Sequence, residues 1–210
     1  MTPAIHQLGR RVHTVVDSPV GPLTLVAVGA TLTRLHMDGQ RHRPADSVFG
    51  EPDPAPFAAV IEQLADYFAG RRRGFVLPMD PAGTPFQHAV WSALGEIPYG
   101  ETVSYRDLAA RVGRPAAVRA VGLANGRNPI GIIVPCHRVI GADGSLTGYG
   151  GGLARKRGLL EFEARNVASA QPVAMATLGS AARPRGLAAT AGGRDRVPAV
   201  PALGVQQTFC

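Results

Sequence analysis

The sequence predicts an α/β protein of the α+β type, in which a small N-terminal antiparallel sheet with a helix precedes a mostly helical domain. Three observations support this fold class. Short β-branched and leucine-rich segments come first, apolar residues at helical spacing follow, and a proline- and glycine-rich stretch at 78–85 separates two halves. A chain of 210 residues can form two small domains. We expect these domains at 1–83 and 84–165, and a disordered tail at 166–210.

The first predicted element is a set of antiparallel strands between Val12 and Met37. Three segments, VHTVV, LTLVAV and LTRLHM, alternate there with the turn signals Ser18-Pro19, Gly21-Pro22 and Gly29. Residues 40–56 are rich in Pro, Asp and Arg and are expected to form an irregular surface loop. A helix is predicted for 57–68, where apolar side chains recur at helical spacing and Gly70 follows as a stop.

The second half begins with a predicted helix at 86–94, whose apolar stripe ends before Ile97-Pro98-Tyr99-Gly100. Ser104 stands where the N-cap of a second short helix is expected, and Gly113 closes that helix. A third helix is predicted from Pro115 to near Gly126. Two short helices joined by a glycine turn have the outline of a helix-turn-helix, here winged-helix-like, although such a pair is more often plain packing.

The positive charge of the chain is concentrated downstream. The net charge is +7, from 22 Lys and Arg against 15 Asp and Glu, but residues 1–83 are neutral. Such an excess favours partners that carry phosphate groups, although surface arginines also serve solubility alone.

The chain has two cysteines, and one of them is the last residue, Cys210. A disulfide framework is therefore not expected. The sequence shows neither the continuous apolar run of a signal peptide near its start nor a segment long enough to span a bilayer. We expect a soluble, cytoplasmic protein that is monomeric in solution and does not bind membranes.

A cysteine and a histidine stand side by side in the apolar run from Ile132 to Ile140. A lone buried cysteine is usually an inert hydrophobic side chain. Here Pro135 precedes Cys136, and His137 and Arg138 follow it. A reactive thiolate requires nearby groups of this kind, because its reference pKa is about 8.5. The segment therefore predicts a candidate nucleophile at Cys136.

The PCHRV motif at 135–139 resembles the hallmark of the O6-alkylguanine-DNA alkyltransferases (methylated-DNA–protein-cysteine methyltransferases). The resemblance covers roughly 12–165 and is strongest after Pro85. Further family positions match at their spacing to Cys136 without gaps, and they fall on Tyr105, Arg119, Asn128, Tyr149 and Glu163.

The resemblance implies DNA repair by irreversible transfer of an alkyl group from a flipped-out guanine to Cys136. It is a single-turnover reaction on double-stranded DNA that needs no cofactor. His137 would act as the base through a bound water, with Glu163 orienting its ring. Arg119 would fill the vacated place in the base stack. Tyr105 would crowd the neighbouring phosphate and then offer its hydroxyl to the flipped base.

The resemblance also implies a base pocket with the flexible segment 147–152 as one wall. Tyr149 would pack on the base, and backbone groups of Cys136, Val139 and Gly150 would read its edge. Asn128 would bond turn backbone and tie the recognition helix to the cysteine segment. Pro135 and Arg138 belong to the same expected substrate- and DNA-binding set.

Two other functions remain open at this point. A non-catalytic helix-turn-helix or lesion-recognition protein would use the same helices without transfer, but relatives that only bind lesions replace the cysteine. A cysteine hydrolase would require an oxyanion site, which the sequence does not indicate.

No zinc is expected, because no cysteine precedes Cys136 and the histidines at 6, 13, 36 and 42 lack ligand spacing. The alkyl-group range, activity on O4-alkylthymine and side-by-side assembly on DNA stay undetermined.

Overall fold

Four strands form the sheet of the N-terminal half in the order β3-β2-β1-β4. The structure, a computed structural model, describes residues 9–169. Strands β1 (Arg11–Val16), β2 (Leu23–Val28) and β3 (Thr31–Met37) pair antiparallel, which confirms the three predicted strands. The two-residue strand β4 (Glu51–Pro52) pairs parallel with β1. One face of β2 and β3 supplies the fully buried Leu23, Leu25 and Leu35.

The segment 40–56 is not simply an irregular surface loop, so that prediction was wrong in part. It contains β4 and two single turns of 3-10 helix, Asp46–Val48 and Ala55–Phe57. Phe49 is fully buried, and its ring stacks on His36 with 5.9 Å between ring centroids. The segment thus covers one side of the sheet, because Phe49 removes apolar surface from water there. The burial of Phe49 could not be predicted from the sequence, because a single aromatic residue in a polar segment has no periodicity.

Helix α1 (Ala58–Phe68) packs into the hydrophobic core through side chains that its 3.6-residue period predicted. Val60, Leu64 and Tyr67 are its buried residues. The helix ends as expected at Gly70, whose φ of 74° lies in the left-handed region that favours glycine.

The helical half contains α2 (Pro85–Gly95), α3 (Tyr105–Arg111) and α4 (Val118–Gly126). Ser104 caps α3 as predicted, since its hydroxyl accepts a hydrogen bond from the backbone N–H of Asp107 in a capping box. Helix α4 begins at Val118 and not at Pro115. The intervening residues form a turn closed by the bond from Ala117 N–H to the Arg114 carbonyl, at 2.8 Å.

Two short strands connect α3 to the segment that carries Cys136. Strand β5 (Val103–Ser104) pairs parallel with β6 (Val139–Ile140), so the N-cap of α3 lies beside the residues that follow the cysteine. This pairing fixes the position of Tyr105, the first residue of α3, relative to the cysteine segment.

The two halves share one continuous hydrophobic core. The sheet also bonds directly to the segment that leads to the cysteine, because the Leu35 N–H donates to the Pro129 carbonyl at 2.8 Å. Leu35 and Ile130 lie side by side as an isolated parallel bridge, and both are fully buried. The N-terminal sheet therefore supports the cysteine segment directly.

The last helix, α5 (Leu153–Ser169), continues past the expected start of the tail at Asn166. Asn166 is held in the fold, since its Nδ2 donates to the Tyr99 hydroxyl at 3.1 Å. The remainder of the predicted tail, and Cys210 with it, lies outside the described residues. Within 9–169, no helix combines the length and the apolar character that crossing a bilayer requires.

Candidate active site

Cys136 begins a single turn of 3-10 helix, Cys136–Arg138, that follows directly after Pro135. It is a buried free cysteine with 6% of its surface exposed. The approach to it is strained, because Ile132 has a φ of 69°, a region that β-branched residues rarely adopt. The Val134 N–H holds this bend by donating to the Ile130 carbonyl at 3.0 Å. Such strain persists only where the surrounding structure enforces it, and it clusters at functional sites.

A fully buried carboxylate lies next to the cysteine turn. Glu163 of α5 receives hydrogen bonds from Nε2 of His137 at 2.9 Å and from Nε and Nη2 of Arg138, both at 2.9 Å. Neither the Glu163 nor the His137 side chain is exposed to solvent. The arginine therefore binds the carboxylate with two parallel bonds and neutralises its charge inside the protein.

Other elements complete the surroundings of this ion pair. The Tyr67 hydroxyl of α1 donates to Glu163 Oε1 at 2.7 Å, and the Gly100 N–H donates to Oε2 at 3.1 Å. The third donor group of Arg138, Nη1, bonds the Ile97 carbonyl at 2.6 Å. These hydrogen bonds to both partners make the buried ion pair tolerable, because an unpaired charge in the interior is strongly destabilising.

The electrostatics of the cluster determine which nitrogen of His137 carries its proton. Burial alone would raise the pKa of Glu163, but hydrogen bonds from His137 and Arg138 lower it to about 2, so the carboxylate is ionised. Burial lowers the pKa of His137 below its usual value, so its ring is neutral at pH 7. A neutral ring beside a carboxylate donates from Nε2 and leaves Nδ1 as an acceptor. This Nδ1 is buried and has no hydrogen-bond partner within residues 9–169.

The thiol of Cys136 needs help to ionise. Burial raises its pKa, while Asn128 and the ammonium group of Lys156 act in the opposite direction. Lys156 is fully buried and donates from Nζ to the carbonyls of Val139 and Thr147. Burial lowers the pKa of Lys156 to about 8, so the amine remains largely protonated at pH 7. A base and a nearby cation are thus both present for a thiolate at this position.

A small cavity opens beside Cys136, between the C-terminal end of α4 and the loop before α5. Tyr149 and Gly150, both predicted site residues, line this cavity together with the next residue, Gly151. A Cβ atom at Gly151 would lie 2.6 Å from Sδ of Met37, so a larger residue there would force this side chain to shift. The full lining consists of Gln40, Asn125, Gly126, Asn128, Gly131, Cys136, Tyr149, Gly150 and Gly151.

Asn128 connects the end of α4 with the cysteine segment. Its Nδ2 donates to the Val134 carbonyl at 2.7 Å, and its Oδ1 accepts from the Ile130 N–H at 3.0 Å. Tyr105 contacts the loop before α5, where its hydroxyl lies 3.1 Å from the carbonyl oxygens of both Thr147 and Gly148.

Arg119 lies apart from this cluster, on the exposed face of α4. Leu123 lies one turn further along the same helix and is 69% exposed, which is unusual for a large apolar side chain. Arg127 follows and is also exposed. The exposed side of α4 therefore combines positive charge with apolar surface.

The structure shows the surroundings of three motif residues that were expected to bind the substrate or DNA. Arg138 was expected in the substrate- and DNA-binding set, but it is buried and its donors are directed at Glu163 and Ile97. Pro135 is also buried, and it starts the cysteine turn without lining the cavity. The Val139 carbonyl accepts a hydrogen bond from Lys156 but has a second lone pair, so the reading of the base by backbone groups of Val139 stays a prediction.

Sequence reasoning missed Lys156, Tyr67, Asn125 and Gln40. Lys156 could have been found, because it lies seven residues before Glu163 with the apolar Leu159 between them, a spacing that places all three on one helix face. No signal in the sequence links Tyr67 to Glu163, which are 96 positions apart. Among residues 9–169, no group of three His, Cys, Asp or Glu side chains could hold a metal ion.

Comparison with known proteins relates both halves of the chain to one family. Residues 12–81 match the family model described as the ribonuclease-like domain of 6-O-methylguanine DNA methyltransferase. Residues 85–165 match the model of the DNA binding domain of the same protein.

Curated relatives and solved structures agree with this result. The chain is 56% identical over 151 residues to a methylated-DNA–protein-cysteine methyltransferase of Mycobacterium tuberculosis, covering 72% of this chain and 91% of the relative. It is 46% identical to the protein of that name from Methanosarcina barkeri, covering 74% and 98%. The crystal structure of Mycobacterium tuberculosis OGT in complex with DNA superposes with a TM-score of 0.70 at 54% identity, covering 74% of this chain and 94% of that one.

Proposed function

The chain belongs to the 6-O-methylguanine DNA methyltransferase family, and from this membership we propose that it repairs DNA by transferring the alkyl group of O6-alkylguanine to Sγ of Cys136. The observation that carries the proposal is the buried cluster of Cys136, His137 and Glu163 beside a cavity. Within it, His137 is neutral and has an acceptor nitrogen at Nδ1.

The first step is formation of the thiolate. Nδ1 of His137 accepts the thiol proton, relayed by a bound water as the family resemblance implies. Glu163 stabilises the imidazolium that results, because its carboxylate already bonds Nε2 at 2.9 Å. The ammonium group of Lys156 favours the negative charge on sulfur. These groups together offset the burial that disfavours ionisation of Cys136.

The second step is the transfer itself. The thiolate attacks the alkyl carbon, a sulfur–carbon bond forms, and the bond between that carbon and O6 breaks. The electron pair of the broken bond remains on guanine, and the anion takes up the proton that the thiol had given to His137, which yields normal guanine and neutral His137. The product is a thioether on Cys136, which no residue of the site can hydrolyse, so each molecule acts once.

The DNA must present the lesion outside the base stack, because the thiol is buried and a stacked base cannot reach it. We assign contact with double-stranded DNA to the exposed face of α4. There Arg119 would enter the stack in place of the extruded nucleotide. Tyr105 lies between α4 and the loop at 147–152, where its hydroxyl can exchange a loop carbonyl for an acceptor on the base.

The proposed location is the cytoplasm. A buried thiol that must remain reduced until it meets DNA suits a reducing compartment that contains DNA.

Intact-mass measurement tests the proposal. The full chain and its Cys136→Ser variant are incubated with a duplex that contains O6-methylguanine. We expect one added methylene on the wild-type protein, mapped to Cys136 and never exceeding one per molecule, and none on the variant. An unchanged mass in a protein that still binds the damaged duplex would identify a non-catalytic lesion-binding protein instead.

A further inference from the structure

Asn125 occupies an unusual position beside the cysteine. It lies in the last turn of α4, is 2% exposed, and helps to line the cavity that contains Cys136. Its Nδ2 is 3.4 Å from the carbonyl oxygen of Cys136, which is a long hydrogen bond. Its Oδ1 is buried and has no hydrogen-bond partner in the described part of the chain.

An unpaired side-chain acceptor is not a general property of the asparagines in this site. Asn128 uses both ends of its side chain, with bonds of 2.7 and 3.0 Å to the backbone of the cysteine segment. A buried polar atom without a partner is destabilising, and native proteins rarely keep one without a reason. The free acceptor of Asn125 therefore indicates that a donor arrives from outside the protein.

The chemistry of the lesion identifies that donor. Alkylation at O6 removes the proton from N1 of guanine, so N1, N3 and N7 are all acceptors, and only the 2-amino group still donates. The carbonyl of Cys136 lies next to Asn125 and is a second acceptor for the same group. We infer that Asn125 is a specificity-determining residue whose Oδ1 accepts a hydrogen bond from the 2-amino group of the extruded O6-alkylguanine. This inference rests on the proposed function.

The consequence is a preference among alkylated bases. O6-methylhypoxanthine has the same ring and the same methyl group but no 2-amino group, and O4-methylthymine has no amino group either. Both would leave Oδ1 of Asn125 unpaired in the bound state. A site that hydrogen-bonds one substrate group discriminates against analogues that lack it.

The test compares methyl transfer from two duplexes of identical sequence that contain either O6-methylguanine or O6-methylhypoxanthine. Rates are measured for the full-length wild-type chain, for Asn125→Ala and for Asn125→Leu, which keeps the side-chain size. Val15→Ala is the matched control, since Val15 is an exposed apolar residue of β1 that belongs neither to the cavity lining nor to α4. The ratio of the two rates is the readout, because the active fraction of a preparation cancels from it.

We expect the wild-type chain to react about tenfold faster with the guanine duplex, the effect of one hydrogen bond. In both Asn125 variants the ratio should fall severalfold, toward the smaller preference that the Cys136 carbonyl alone supports, and in Val15→Ala it should stay at the wild-type value. A wild-type ratio near one, an unchanged ratio in the Asn125 variants, or loss of all reaction in both of them would overturn the inference. Failure of the proposed function would look different, since neither duplex would then methylate the wild-type protein.

Discussion

Glu163 and His137 form a hydrogen bond of 2.9 Å between two side chains that have no contact with solvent. The carboxylate of Glu163 serves two purposes at once. It fixes the proton of His137 on Nε2, which leaves Nδ1 to act as a base, and it neutralises the buried guanidinium of Arg138. The same residue therefore links the chemistry of the site to the stability of the fold.

The substitution Glu163→Gln should reduce both stability and alkyl transfer. A glutamine amide leaves Arg138 as a buried charge without its counterion, and we expect the free energy of unfolding to fall by about 3 kcal/mol or more. His137 also loses the charge that stabilises its protonated form, so transfer should slow by about 100-fold. Urea unfolding and the transfer rate from a methylated duplex measure the two effects. Glu161→Gln is the matched control, because Glu161 is exposed on the same helix. A wild-type transfer rate in folded Glu163→Gln would contradict the role given to Glu163.

His36 should make the fold less stable in weak acid. It is buried against Phe49, and neither ring nitrogen has a hydrogen-bond partner in the described residues. Burial, and then the charges of Arg34 and Arg43, lower its pKa to about 4. An unfolded chain takes up the proton near pH 6.5, so the stability contributed by neutral His36 is present above that pH and is lost as the pH falls toward 4.

The effect is measurable by urea unfolding at pH 7 and at pH 5. We expect the wild-type protein to lose on the order of 1–2 kcal/mol more than His36→Leu over this interval. His88→Leu removes an exposed histidine and should behave as the wild type does. Equal losses in the wild type and in His36→Leu would show that His36 does not titrate in this range.

The parts of the structure that the sequence predicted are those with a repeating signal. The three strands follow alternating patterns between turn residues, and α1 and α2 follow apolar stripes with stop signals. Strand β4 was missed because two residues, one of them proline, have no period. The start of α4 was placed too early, because a proline that can open a helix here belongs to the preceding turn.

The sequence identified part of the cluster around Cys136 but not its geometry. The motif gave Cys136, His137 and Arg138 as neighbours in sequence, yet it could not show that the single 3-10 turn directs Arg138 inward to Glu163. Contacts between distant segments were also hidden. The bond from Tyr67 to Glu163 depends on how α1 and α5 pack, which no local pattern encodes.

Lys156→Met should loosen the loop in front of the cavity. The ammonium group of Lys156 joins the Val139 carbonyl to the Thr147 carbonyl, and so connects strand β6 with the loop that contains Tyr149. Methionine fills a similar volume without donating hydrogen bonds. We expect faster hydrogen exchange at 141–152 and transfer slowed by about tenfold, since the nearby cation that favours the thiolate is also lost. The matched control is Arg157→Met, because Arg157 is the next residue and is exposed. Wild-type exchange at 141–152 in Lys156→Met would contradict this role.

Arg119→Ala should impair the reaction on DNA while leaving the chemistry at Cys136 intact. Arg119 is exposed on α4 and makes no contact with the buried cluster, so its removal should not change the thiol or the fold. If the Arg119 side chain fills the place of the extruded base, Arg119→Ala leaves that place in the base stack empty. Unstacking a base requires a few kcal/mol, and we expect transfer from the duplex to slow by about tenfold or more.

Two comparisons separate this role of Arg119 from simple charge. Arg10→Ala removes one positive charge in the sheet half, where the Arg10 side chain is 67% exposed and lies beside Glu51. It should change the rate by less than about twofold, as expected for one screened surface charge. Reaction with the free base O6-methylguanine needs no extrusion, so Arg119→Ala and the wild type should react with it at equal rates. If Arg119→Ala slowed both reactions equally, the residue would act on the pocket, and α4 would have to contact DNA in another way.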